Sequence, residues 1–232
     1  MNKSLVTAAL ICGLSPSAYA SVIDFEDQIA GTIVDDEYAS LVDISVINHT
    51  GPNLAVLFDT TAETASGRDD DLLGPFNHKN DLLSGFVTGN VLIIQENDDS
   101  CNTDICTDPD DEGSRPAGKF IFDFKSVISL ESIDFFDVET AENGTTDNNA
   151  IRLFDVDDNE IMPGTFYTPD TGGDNMWGQL VFNVEGVKRI ELNLGGSGAI
   201  DNITFTVVPV PAAMWLFGSG LIGLIALARR KA

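Results

Sequence analysis

The sequence predicts an all-β protein whose main domain, residues 21–207, is a single sandwich of antiparallel sheets. Short apolar and β-branched runs alternate along it with clusters of Gly, Asn, Asp and Pro. Within several runs, apolar and polar residues alternate with the period of two that is typical of a half-buried strand. No segment of this domain sustains a helical period with caps at both ends. One domain is expected, because all-β domains often reach this length undivided.

The clearest alternation lies in 119–124, where Phe120, Phe122 and Phe124 alternate with Ile121 and Asp123. Turn signals at short intervals separate this run from its neighbours, which favours antiparallel connections. The predicted strands are, in order, Val22–Phe25, Leu54–Phe58, Val91–Gln95, Lys119–Phe124, Leu130–Val138, Ile151–Val156, Gly178–Asn183, Val187–Leu194 and Ile200–Val207.

The amino terminus has the pattern of a secretory signal peptide, residues 1–20. Lys3 gives a positive first region, 5–14 is apolar, and Ala18-Tyr19-Ala20 is a small-residue cleavage site. We predict cleavage after Ala20. The mature protein would therefore begin at Ser21 outside the cytoplasm.

The carboxyl terminus, residues 208–232, combines three features in order. A proline motif is followed by an apolar run, 213–228, which is near the lower limit of the about 17–25 residues that span a bilayer. A basic end then predicts that the terminus stays in the cytoplasm. The motif consists of Val208, Pro209, Val210, Pro211 and Ala212, and the basic stop-transfer end of Arg229, Arg230 and Lys231.

This tail resembles the PEP-CTERM sorting signal, in its VPLPA or VPVPA form. The resemblance implies recognition by exosortase, a membrane-embedded processing enzyme of Gram-negative bacteria that is often encoded with exopolysaccharide genes. It also implies a precursor anchored in the inner membrane, and then a protein of the cell surface or extracellular matrix. No catalytic residues are implied, because the tail is a substrate in that family.

Acidic residues dominate the composition, with 37 Asp and Glu against 12 Lys and Arg. Four of those bases lie in the two tails, so the mature domain has a net charge of about −29. Such a charge repels nucleic acid and anionic membranes, and it disfavours a compact state unless cations neutralise part of it. Nucleic-acid binding is therefore excluded, and calcium or a cationic partner is favoured. The alternative is that the charge serves solubility alone.

Two cysteines, Cys101 and Cys106, remain after removal of the signal peptide. In an exported chain this pair predicts one disulfide that closes the loop 102–105. A metal site is disfavoured, since no further soft ligand is near in sequence. We expect a local staple worth about 2 kcal/mol or less.

For calcium, the first and last predicted strands offer candidate ligands. Jelly-roll domains of the galactose-binding and carbohydrate-binding-module type place these strands side by side, often with a calcium ion shared by an acid from each. The segments 24–26 and 199–203 resemble that arrangement, which implies Glu26 and Asp201 as ligands, with Asp24 in reserve. Alternatively, Asp24 and Asp201 are outward-facing residues of alternating strands.

A second acidic cluster, Asp69-Asp70-Asp71, follows Arg68. Three successive acids cannot all face one ion from a strand, but a loop can turn two of them inward. Oxygen ligands of this kind suit calcium. The competing interpretation is that Arg68 neutralises its neighbours.

Among the aromatic residues, Trp177 is the best candidate for a sugar platform, because polar residues surround it. A core or lid position is the alternative. No catalytic residues are predicted: Ser197 lies in a glycine-rich turn that lacks the pattern of a nucleophile elbow. Paired carboxylates are too abundant to indicate a glycosidase.

These features together lead to an expected function. The protein is expected to be a non-catalytic, calcium-stabilised surface or matrix component that acts in adhesion or associates with exopolysaccharide in a biofilm. The alternatives from other classes are a carbohydrate-binding module and a secreted glycan hydrolase that uses surface carboxylates.

Overall fold

The computed structural model describes residues 20–62, 69–140, 142 and 144–208, and in these residues the protein is all-β, as predicted. Two short 3₁₀ helices, Asp70–Leu72 and Asp147–Asn149, interrupt the strands, and the described residues contain no α-helix. The strands are β1 (Ala20–Ile23), β2 (Val42–Asn48), β3 (Ala55–Asp59), β4 (Phe76–His78), β5 (Asp81–Phe86), β6 (Asn90–Ile94), β7 (Gly118–Phe136), β8 (Ala150–Phe154), β9 (Glu160–Tyr167), β10 (Met176–Leu194) and β11 (Ala199–Val207).

Hydrogen bonds join all eleven strands into one open sheet. Its main path runs β3-β6-β11-β7-β10-β4-β5, while β1 pairs with β11, β2 with β7, and β8 with both β10 and β9. All pairs are antiparallel except the short β10–β4 contact, which is parallel. The prediction of an all-β, antiparallel architecture is confirmed. The sandwich and its jelly-roll topology stay predictions.

The two longest strands, β7 and β10, hold the sheet together. Each has 19 residues, and they pair with each other along their length. The sequence predicted two strands in place of each one. They continue because the pairing absorbs register shifts, for example between Val181 and Val184. An extra residue of this kind bends a strand without ending it.

Four strands were absent from the prediction: β2, β4, β5 and β9. The signal for β2 was present, since Val42, Ile44 and Val46 are buried and the residues between them are exposed. For β9 no such signal exists. It pairs with β8 alone, is largely exposed, and contains Pro163, which a strand tolerates at an edge.

Phenylalanine side chains fill much of the core. Phe124 of β7 packs against Phe205 of β11 with ring centroids 5.1 Å apart. Phe120 and Phe122 belong to the same cluster and are fully buried. A second cluster contains Phe76 and Phe136, whose ring centroids lie 4.7 Å apart. This second cluster lies under the end of β7 where the candidate site is found.

The predicted disulfide between Cys101 and Cys106 is present. Its loop is attached to the domain by backbone hydrogen bonds. The amide of Ile33 donates to the Asp104 carbonyl, and the Cys106 amide donates to the Gly31 carbonyl. The loop is therefore a stapled part of the fold.

The predicted signal peptide, 1–20, and the sorting tail, 208–232, lie outside the described residues apart from Ala20 and Val208. The predicted span 213–228 is among the residues not described. Within the described ranges, no helix has the length and apolar character needed to cross a membrane.

Candidate functional site

Three aspartates from distant parts of the chain converge at one end of β7. Asp71 lies in the first 3₁₀ helix, Asp137 directly follows β7, and Asp174 lies in the turn before β10. Each offers a carboxylate oxygen, and these oxygens all lie within 4.8 Å of one another. We call this group the aspartate triad.

The backbone around the triad is held by Asn175. Its amide donates to the Asp71 carbonyl at 2.8 Å. Its side-chain Nδ2 donates to the carbonyls of Asp70 and Leu73 at 3.0 and 2.7 Å. The Asp137 amide donates to the Met176 carbonyl at 3.0 Å. These bonds tie the 3₁₀ helix and the end of β7 to the same turn, and so fix the backbone that carries the three aspartates.

Asp137 is the most buried member of the triad, at 2% exposure. Its φ of 56° is left-handed, a conformation that Asp adopts more easily than most residues. Its Oδ1 is buried and accepts no hydrogen bond from any described group. Burial, followed by the negative charges of Asp71 and other nearby acids, raises the pKa of Asp137 to about 9. A buried acceptor without a donor is costly, which suggests that a ligand belongs there.

Two further acids, Asp69 and Asp111, extend the negative charge around the triad. The pKa of each carboxyl is raised, chiefly by burial. Asp111 accepts the Gly198 amide at 2.6 Å, and the charge of Asp71 acts on it. At an effective dielectric of about 20, two carboxylates about 5 Å apart repel each other by roughly 3–4 kcal/mol. The cluster therefore opposes folding unless protons or a cation neutralise it.

In the described residues, the basic side chains form their ion pairs with acids outside the triad. Arg68, next to Asp69, lies outside the described residues. The described ion pairs are Lys79–Asp170, Arg115 with Glu139 and Glu142, Lys119–Glu191, Lys125–Asp43, Arg152–Asp147, Lys188–Asp123, and Arg189 with Asp158 and Glu191.

The residues predicted from the first and last strands lie near one another. β1 and β11 are neighbours, with Ile23 opposite Ile203, and Glu26 acts electrostatically on Asp201. Both acids contact the segment 88–90. Glu26 Oε1 accepts the amides of Gly89 and Asn90, each at 2.9 Å, and Thr88 donates to Asp201 Oδ2 at 2.6 Å.

Asp24 is exposed and accepts the Glu26 amide at 3.4 Å. The described acid groups that bring three ligand oxygens within 4.8 Å are the aspartate triad and the group 35–37, and neither contains Glu26, Asp201 or Asp24. Calcium at these three residues stays a prediction.

Asp201 predicts a pH dependence that can be measured. Burial raises the pKa of this carboxyl from 3.8 to about 7. Its contribution to stability is therefore fully present below about pH 4 and is lost as the pH rises through about 7, a loss of up to about 4 kcal/mol. We expect Asp201→Asn to remove this part of the pH dependence in denaturant melts with EDTA. If Asp201→Asn keeps the wild-type pH profile of stability, the prediction that Asp201 titrates while buried is wrong.

Trp177 is partly buried and packs against the second core cluster. The ring of Phe86 stacks on it with a centroid distance of 4.5 Å and an interplanar angle of 26°. His78 contacts it edge-on at 5.8 Å. One ring face is thus occupied by protein, which favours the core or lid position over a sugar platform.

The glycine-rich turn around Ser197 packs against a buried acid. Ser197 Oγ donates to Glu142 Oε1 at 3.2 Å, and Arg115 pairs with the same carboxylate at 2.8 Å. Ser197 thus acts as a turn residue that satisfies Glu142. This geometry supports the turn interpretation of the motif.

The sequence indicated Asp71 as a candidate ligand, grouped with Asp69 and Asp70. It did not indicate Asp137 or Asp174 as ligands. A signal for Asp137 was present, because it shares the apolar strand face of Ile133 and Phe135. An acid on a core face is buried and needs a partner. Asp174 gave no comparable signal, since an acid in a glycine-rich turn is ordinary.

A known family model matches the carboxyl terminus of the chain. Residues 207–231 match the family described as the PEP-CTERM protein-sorting motif. No curated protein matches the chain significantly. The motif implies an exported protein that is anchored in the membrane before exosortase processes it. The chain therefore carries a PEP-CTERM sorting motif at residues 207–231.

Proposed function

We propose that this protein is a non-catalytic component of the bacterial cell surface or extracellular matrix, where its acidic sheet domain binds calcium and associates with exopolysaccharide. Exosortase processing delivers it there. The adhesive contact forms between the acidic domain and polysaccharide outside the cell.

The observation that carries this proposal is the sorting motif at 207–231. Such a tail is a delivery signal, so the function belongs to the domain that it delivers. That domain has a net charge of about −29. A charge of this size repels acidic polymers unless divalent cations screen or bridge the two. Association with an acidic polysaccharide would therefore depend on calcium.

The calcium part of the proposal is supported by acids that lack basic partners in the described structure. The triad presents one exposed carboxylate, Asp174, beside the buried Asp137. The predicted pair Glu26 and Asp201 offers a second place where a cation would relieve repulsion. Calcium accepts six to eight oxygen ligands, including water, so it tolerates partly exposed sites.

The non-catalytic part is supported by the contacts of Ser197 and His78. Ser197 donates to Glu142, and the described contacts place no histidine beside it. His78 accepts the Asn80 amide through Nδ1 and packs on Trp177. These are structural contacts of a turn and a core edge.

The test is binding of the full-length protein, purified in mild detergent, to immobilised alginate, an acidic polysaccharide. We expect retention with about 10 mM calcium, because neutralisation of the acidic cluster permits approach, and loss in EDTA. Neutral dextran is the control surface and should not retain the protein. Equal binding with calcium and with EDTA would contradict the calcium-dependent role, and turnover of the glycan would favour a hydrolase.

A further inference from the structure

We propose that Asp71, Asp137 and Asp174 form a calcium-binding site that joins the end of β7 to the turn before β10 and to the first 3₁₀ helix. The inference rests on the proposed function only in requiring a protein exported to a calcium-containing medium. It places calcium at residues other than Glu26, Asp24 and Asp201.

The first argument is geometric. One oxygen from each of the three carboxylates lies within 4.8 Å of the other two. Oxygens that bind one calcium ion at 2.3–2.6 Å are about 3–5 Å apart, so a single ion fits among them.

The second argument is the state of Asp137. Its side chain is 2% exposed, and its Oδ1 has no donor among the described residues. A neighbouring asparagine or lysine would be the usual solution for a buried carboxylate. The negative charges of Asp71, Asp111, Glu142 and Asp174 act on it and raise its pKa. A cation satisfies the oxygen and removes the repulsion together.

The third argument is that the site is built rather than accidental. Asn175 holds the 3₁₀ helix through three backbone carbonyls, and the Asp137 amide is held by Met176. The acidic group 35–37 also brings three oxygens together, but two of its three residues are exposed. That group lacks a buried, unpartnered oxygen among the described atoms. It is therefore a suitable control.

The ligand set identifies the ion by class. It consists of carboxylates and has no histidine or cysteine among its members. Hard oxygen ligands suit calcium or magnesium rather than zinc or copper. Asp174 is exposed, so water completes the coordination on that side, and the expected Kd is about 0.1–1 mM, the range of extracellular calcium modules.

The experiment measures thermal melting of the full-length protein in mild detergent at about pH 8. It compares Tm in EDTA with Tm in about 10 mM calcium. At that concentration, a site with a Kd near 0.1 mM raises Tm by about 5–10 °C. We expect this shift in the wild type and in the control Asp36→Asn. Asp137→Asn should lose the shift while melting at or above the wild-type temperature in EDTA, because the amide does not have to take up a proton when it is buried. Asn175→Gly, which keeps the left-handed backbone but removes the side-chain donors, should weaken calcium binding in calorimetric titration.

The outcomes separate this site from the broader calcium proposal. A calcium shift that is unchanged in Asp137→Asn and lost in Asp201→Asn would overturn the triad and support the Glu26 and Asp201 site. The absence of a shift in the wild type would overturn calcium at both. A fall in the stability of Arg68→Gln without any calcium response would identify Arg68 as the neutralising group. Should Asp137→Asn fail to fold, Asp174→Asn at the exposed edge provides the same comparison.

Discussion

Replacement of both prolines of the sorting motif, by Pro209→Ala and Pro211→Ala together, is expected to leave an unprocessed precursor in the membrane. Proline fixes φ near −65° and biases the preceding residue towards an extended backbone. A peptide with fewer accessible backbone conformations loses less entropy on binding, so we expect the double variant to be recognised less well. A loss of about 1.4 kcal/mol in binding reduces processing about tenfold where the enzyme is not saturated. Mass spectrometry of the exported and membrane fractions measures the ratio.

Two controls separate the motif from general effects. Val210→Leu gives the VPLPA form of the motif and should be processed normally. Pro163→Ala removes a proline from the exposed edge strand β9 and should leave processing unchanged. If the double proline variant is released as efficiently as these controls, recognition through the prolines is wrong.

Gly195→Ala is expected to destabilise the domain strongly. A Cβ at this position would lie well inside 3.0 Å of the Glu142 carbonyl oxygen and of Asn149 Nδ2. Asn149 itself donates to that carbonyl, so neither atom can move away without breaking a buried hydrogen bond. Overpacking of a rigid site, together with loss of that bond, should cost at least about 3 kcal/mol. Urea denaturation of the full-length protein measures the free energy of unfolding.

The matched control is Gly113→Ala, since an added Cβ there has no atom within 4 Å. Its effect should stay within about 0.5 kcal/mol. Equal stability of the two variants would contradict the close packing of the glycine-rich turn on Glu142. This turn also carries Gly198, whose amide binds Asp111 beside the triad. We therefore expect Gly195→Ala to weaken the calcium response as well.

The strand prediction worked where neighbouring residues carry the signal. The alternation from Phe120 to Phe124 marked part of β7 correctly, because burial on one face imposes a period of two. The same logic would have found β2. It could not find β9, because β9 has no alternation of its own. Its strand conformation depends on hydrogen bonding to β8.

The candidate site was only partly accessible from sequence. The sequence predicted that a loop could turn two of the acids 69–71 inward towards an ion. The position of Asp71 in the triad agrees with that prediction. Its partners Asp137 and Asp174 lie tens of residues away. With 37 acids in the chain, almost any pairing of carboxylates could have been proposed. Distance in space was needed to choose among them.

The sequence by itself determined the sorting motif, the all-β class and the disulfide between Cys101 and Cys106. Each depends on residues that are close along the chain: a proline motif, a two-residue period, and a spacing of five. Only the tertiary structure decided that β7 and β10 are continuous strands of one open sheet, and that Asp71, Asp137 and Asp174 meet at its end. Strand pairing and burial join residues that are distant in sequence, and local patterns do not specify which distant residues will become neighbours.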